Sequence, residues 1–132
     1  MNPSIPTAKE ITDISKARGY LAKQLYVILT TPTRGPEAVL KDLRPHIEYQ
    51  DSLIKRGILF ASGPTWTDDE QQWNGEGMIV VRAASLSEAE TIAREDPMHA
   101  SGARSFRIRP WLVNLGTLEV KLDYTTGRFQ LT

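Results

Sequence analysis

The sequence predicts an α+β domain: one antiparallel β-sheet with two helical segments lying on one of its faces. Two observations carry this. Apolar runs and helix-spaced apolar residues follow one another in the order strand, helix, strand, strand, helix, strand. Each is bounded by proline, glycine or a helix-capping residue, the usual punctuation between elements.

The first strand is read from Gln24 to Thr30, where Leu25-Tyr26-Val27-Ile28-Leu29 forms an apolar, partly β-branched run. Thr31-Pro32-Thr33-Arg34-Gly35-Pro36 ends it. A helical pattern follows through Val39, Leu40, Leu43, Ile47 and Ile54, broken at Pro45, so a short first helix or a kink should precede a second stretch. Gly57 is placed to stop that helix. Ile58 to Ser62 reads as a short strand closed by Gly63-Pro64, and Thr65 to Glu76, carrying Trp66 and Trp73, as a hairpin loop. Gly77 to Arg82 is the third strand. Ser85 and Glu88 have capping-box spacing and open a helix that should end before Asp96-Pro97, because a residue ahead of proline is pushed out of the α region. Phe106, Ile108 and Trp111 sit in a last strand from about Ser105 to Asn114.

This β-α-β-β-α-β order is that of ferredoxin-like folds. Such a sheet has one uncovered face, so pairing of two copies into a homodimer is expected. Residues 1–22 read as an N-terminal extension with a short helix from about Ala8 to Arg18, opened by a Thr7–Glu10 capping box. Residues 23–116 form the main domain, and 117–132 a C-terminal β-hairpin around Thr125-Thr126-Gly127.

Composition removes several function classes. Sixteen basic and sixteen acidic residues cancel, so no net charge draws the chain to nucleic acid or to an anionic membrane. There is no cysteine, hence no disulfide, thiolate nucleophile or cysteine-held zinc. No apolar run approaches the roughly 20 residues of a membrane helix, and Met1 to Pro6 lack the pattern of a secretory signal. A cytoplasmic protein is expected. Walker and dinucleotide motifs are missing, as is the glycine-flanked elbow of a serine hydrolase; no cofactor is expected.

Two histidines are present, His46 and His99. At about 100° per residue, the stripe Leu43, Ile47, Gln50 and Ile54 marks the side of its helix expected to be buried, and His46 falls about 60° off its centre. That puts it at the margin of the core, partly desolvated and still reachable. Asp96 follows the second helix, and two helices on one sheet face can bring their ends together. A carboxylate on one imidazole nitrogen would fix the tautomer and leave the other as a base. The plainer alternatives are a histidine bonded at a helix start and an aspartate capping a turn before proline. Asp96, His99 and His46 could also form a two-histidine, one-carboxylate metal site, but nothing in the spacing demands it and no metal is expected. Arg104 or Arg107 could hold a substrate carboxylate, although Arg104, Arg107 and Arg109 also read as a solvated strand face. Trp66, Trp73 and Trp111 could wall a pocket or pack in a core or interface.

His46, Gly57, Gly63-Pro64, Ser87-Glu88-Ala89, Asp96-Pro97, Gly102 and Pro110-Trp111, in this order and spacing, resemble the YCII-related family from about Leu25 to Trp111. The resemblance implies a ferredoxin-like protomer of the dimeric α/β-barrel group. It also implies a His–Asp pair in a cleft, here His46 and Asp96, proposed for the family as a catalytic dyad. One relative group is linked to dechlorination of aromatic breakdown intermediates, and the wider fold group includes muconolactone isomerases. The extensions at both ends exceed the family core and could reshape the pocket mouth.

Two readings follow. One is a cofactor-independent isomerase or lyase that moves a proton on a small polar or enolic metabolite. His46 and Asp96 would be catalytic, with Arg104, Arg107, Trp66 and His99 around the substrate. The other is a dimeric binding or accessory module that holds a small molecule without turnover.

Overall fold

The computed structural model describes residues 3–132. Met1 and Asn2, part of the stretch read above for a targeting signal, lie outside the described residues. The chain divides into two compact units, residues 24–112 and residues 1–23 with 113–132.

The larger unit has a four-stranded antiparallel sheet in the order β2-β3-β1-β4, the ferredoxin-like arrangement. Its strands are β1 (Lys23–Pro32), β2 (Leu59–Pro64), β3 (Gly77–Val81) and β4 (Arg104–Val113). Tyr26 lies opposite Val81 and Ile28 opposite Ile79. These four side chains, with Phe106 and Ile108 packed against them, form the sheet's contribution to the core. Strand alternation sends Arg107, Arg109 and Trp111 to the other face, where Arg107 and Arg109 are exposed and Trp111 is also exposed.

Between β1 and β2 the helical segment is broken, as its proline predicts, into α2 (Pro36–Lys41) and α3 (Leu43–Lys55). Pro45 sits in the first turn of α3, where a missing N–H costs no helical bond. Gly57 ends α3 at φ +72°. Its N–H donates to Ile54 O, and the Ile58 N–H donates to Leu53 O at 2.8 Å. That pair of bonds is a Schellman cap, which favours glycine because the left-handed region penalises a Cβ. After β3, α4 (Leu86–Glu95) opens on Ser85, whose hydroxyl accepts from the Glu88 N–H. Glu88 reaches back to the N–H of Ala84 rather than that of Ser85, so half of the expected capping box forms. Pro97 stops α4 and begins the short α5 (Pro97–Ala100).

The phase of α3 differs from the sequence expectation. Leu53 is 1% exposed and His46 8%, whereas Ile47 is 49% and Ile54 59% exposed. The buried side therefore runs through His46, Tyr49 and Leu53. Tyr49 adds a hydrogen bond from its hydroxyl to Ile92 O of α4 at 2.8 Å. The apolar residues Leu43, Ile47 and Ile54 face away from the core.

A β-bulge sets the face that β2 presents. Leu59 pairs with Val81 and Ser62 with Ile79, with the register shifting between Leu59 and Ala61. Residues three apart in a regular strand face opposite sides. The extra residue restores Ser62 to the helix-covered face that Leu59 also occupies.

In the smaller unit, α1 (Ala8–Ala17) opens on the expected capping box, with the Thr7 N–H donating to Glu10 at 2.7 Å and the Glu10 N–H to Thr7 Oγ1 at 3.2 Å. Ile11 and Ile14 are exposed and Ser15 is buried. Ser15 accepts from the Asn114 side chain at 3.0 Å. β5 (Val120–Leu122) and β6 (Phe129–Leu131) form the hairpin near the C-terminus.

The phase of α3 is open to test by urea denaturation. Leu53→Ala should cost about 2–5 kcal/mol, the range for emptying a packed site. Ile54→Ala should cost less than about 0.5 kcal/mol, as expected at an exposed position. The reverse ranking would restore the phase read from apolar spacing.

Candidate functional site

Asp96 is set by its place in the chain. Pro97 forces it to an extended backbone, φ −62° and ψ 125°. It therefore ends α4 and caps α5, its Oδ1 accepting from the Met98 N–H at 3.0 Å. The capping role read from sequence is real, and the same carboxylate also meets His46. Its two oxygens lie 2.9 and 2.7 Å from His46 Nδ1. Asp96 is 2% exposed, so the contact is made away from water. α3 and α5 are joined further by the Ser101 hydroxyl, which donates to the carboxylate of Asp42 just ahead of α3.

The other ring nitrogen, His46 Nε2, lies 3.1 Å from Gln50 Nε2, one turn along α3. The Ser62 hydroxyl donates to Gln50 Oε1 at 2.8 Å. These bonds form one line: Met98 N–H, Asp96, His46, Gln50, Ser62. With the Gln50 amide donating, Nε2 accepts, and the imidazole proton sits on Nδ1 against Asp96.

The line runs along a cavity of about 400 Å³, a volume suited to a small metabolite. His46, Gln50 and Ser62 supply its polar wall, and Leu40, Leu43, Ile47, Met98, Trp66 and Trp73 much of its apolar lining. The apolar side of α3, taken from sequence as core, is thus partly cavity wall. Trp66 is 60% exposed at the mouth. Arg104 is buried in the lining, its Nε donating to Gly75 O at 2.9 Å. Gly75 holds φ +98°, and a Cβ there would come within 3.1 Å of Pro32, so glycine is required where the chain turns its carbonyl to Arg104. Burial pushes the Arg104 guanidinium below its ordinary pKa, while the Asp96 charge pulls it up.

Two of the expected site residues lie elsewhere. Arg107 is exposed on the sheet face opposite the core, because strand alternation separates it from Arg104 by an odd number of residues. His99 lies outside the cavity lining. Its Nδ1 donates to Ala93 O at 2.7 Å, its ring rests against Phe106 at 4.8 Å, and its Nε2 is buried without a partner. Trp111 is likewise outside the lining. Among the described residues no group of three or more His, Asp or Glu side chains is placed to hold a metal ion. Gln50 and Ser62, also in the lining, belong to no motif in the sequence. The i, i+4 spacing of His46 and Gln50 was a readable signal for the first; Ser62 depends on the bulge.

The family model for the YCII-related domain matches residues 24–112. The chain belongs to the YCII-related family. Among solved structures, the chain is similar to 5-chloro-2-hydroxyhydroquinone dehydrochlorinase from Burkholderia phenoliruptrix, determined with 2,5-dihydroxybenzoquinone. The identity is 20% and the TM-score 0.54, with 66% of this chain and 92% of that chain covered. No curated protein matches the sequence. Among the described residues, no helix of this YCII-family chain is long and apolar enough to cross a membrane.

His99 gives the protein an acid-sensitive element. Burial pushes its pKa below the ordinary 6.5, and the charge of Arg104 acts the same way. The Ala93 carbonyl and Asp96 oppose this without prevailing. Below about pH 6.5 the unfolded chain therefore binds more protons at this residue than the folded one, and stability falls as the pH drops. Urea midpoints at about pH 7.5 and about pH 5.5 should show a smaller acid loss in His99→Gln than in wild type. Equal losses would remove His99 as the cause.

Proposed function

We propose that this YCII-family protein is a proton-transfer enzyme, of isomerase or lyase type, acting on a small enolic or phenolic metabolite through His46 and Asp96. The observation that carries the reading is the buried Asp96–His46 contact beside a cavity of metabolite size. Asp96 holds the Nδ1–H tautomer, which leaves Nε2 as the base. Nε2 takes a proton from the substrate, and the electron pair stays on the substrate as an enolate or phenolate. The imidazolium so formed lies against a carboxylate in a site of low dielectric, where the pairing is strengthened. Return of the proton at another atom completes an isomerisation; in an elimination the retained pair forms a new double bond, the leaving group departs with the electrons of its own bond, and the imidazolium gives its proton to the departing group or to water. No cofactor enters either route.

Arg104 suits the charge that develops. A guanidinium facing an apolar cavity favours an anion over a neutral molecule, and its planar fork matches a carboxylate or a pair of enolate oxygens. Trp66 and Trp73 offer flat surfaces to a planar body. The structural neighbour was solved with a flat hydroxyquinone, which places such compounds among the first to try.

A thermal-shift screen of wild type and His46→Ala against small carboxylates, lactones, phenols and 2,5-dihydroxybenzoquinone tests the site. A ligand of the cavity should raise the melting temperature of wild type and not that of a folded His46→Ala variant. For a compound that is turned over, His46→Ala should lower the rate about 10²–10⁴-fold. Equal stabilisation of both proteins would place binding elsewhere. Discriminating binding without product would favour a non-catalytic binding module.

A further inference from the structure

The nitrogen that must act as base is already occupied. An imidazole nitrogen has one in-plane lone pair, and Gln50 Nε2 stands 3.1 Å from His46 Nε2. That carboxamide is anchored at its other end by Ser62, whose Oγ lies 2.8 Å from Gln50 Oε1. Two elements converge to make this arrangement. Gln50 is one helical turn from His46 on α3, and the bulge in β2 turns Ser62 to the same face. Both residues line the cavity.

We propose that Gln50, anchored by Ser62, is a positioning residue for the dyad: it occupies His46 Nε2 in the resting site and marks the place of a ligand's proton-donating atom. The proposal rests on the reading of His46 as the base. A ligand reaches Nε2 by displacing the amide, and it satisfies that nitrogen only if it brings an N–H, O–H or acidic C–H of its own. An ether or ester oxygen set there would face a lone pair with another lone pair.

The same two side chains fit the protonated state. When the proton passes from the ligand to Nε2, the electron pair remains on the ligand and the Nδ1–H stays with Asp96. Once the ligand leaves and the amide returns, the new Nε2–H would oppose an amide N–H, so the carboxamide turns over and offers Oε1. Its NH₂ then points at Ser62, whose hydroxyl oxygen accepts as readily as it donated before. Ser62 thus lets Gln50 serve both protonation states without leaving a polar group unmatched.

Imidazole nitrogen spectra of ¹⁵N-labelled protein test this without a known substrate. His99→Gln, combined with each variant, leaves His46 as the remaining ring. With the imidazole neutral, the Nδ1–H and a hydrogen-bonded Nε2 are expected. Gln50→Leu should shift the Nε2 resonance toward that of a free acceptor while the Nδ1–H stays in place. Gln50→Glu sets a second carboxylate against the ring and should leave both nitrogens protonated at the same pH. Ser62→Ala, at an exposed strand position, should move the Nε2 resonance part of the way, and it serves if a Gln50 variant does not fold. An Nε2 resonance unchanged in Gln50→Leu or Ser62→Ala overturns the proposal. Loss of the Nδ1–H in wild type would instead count against the His46–Asp96 dyad, and the two failures are separately visible.

Discussion

A carboxylate that is 2% exposed has to be matched by donors, and much of the site's arrangement follows from how Asp96 is matched. One donor is local: Pro97 extends the backbone so that Asp96 caps α5 through the Met98 N–H. The other is distant in sequence, the Nδ1–H of His46. Meeting it requires α3 to turn His46 inward, and the helix can have only one phase. Leu53 and Tyr49, on the same side, then join the core with the sheet. Leu43, Ile47 and Ile54 are carried outward.

That choice of phase creates the cavity. Leu43 and Ile47, turned away from the core, meet Trp66 and Trp73 of the β2–β3 loop across an open volume. An apolar lining with few polar groups is suited to binding, since the polar groups set orientation and the apolar wall excludes water. The polar groups here differ in kind. His46, Gln50 and Ser62 form a bonded line able to take up a proton, while Arg104 is a fixed positive charge held by a glycine carbonyl. A ligand that gives up a proton and holds the resulting charge would use both.

The sequence made the order of elements, the break before Pro45, the Gly57 cap and the stop at Pro97 legible, because each depends on local backbone chemistry. Helix ends that share a sheet face made a His46–Asp96 contact possible, and the family resemblance is what implied the pair. The buried side of α3 could not be read. Apolar periodicity reports which side avoids water, and here that side is partly cavity wall rather than core. Spacing from Asp96 points to His99, and charge points to Arg107 as a holder of a substrate carboxylate, yet the Ala93 bond and strand parity turn them elsewhere. Ser62 was hidden for a related reason: a one-residue bulge reverses the face of a strand and has no marker in Phe60 or Ala61.

If His46 and Asp96 act as one buried unit, their contributions to stability are coupled, and a double-mutant cycle on unfolding free energy measures that coupling. His46→Leu, Asp96→Ala and the double variant would be compared with wild type by urea denaturation. Each single change leaves a buried partner unmatched, so the double variant should be less destabilised than the sum of the two, with a coupling of about 1 kcal/mol or more. Additivity within about 0.5 kcal/mol would mean that the two side chains do not depend on each other and that no His46–Asp96 unit exists at this site.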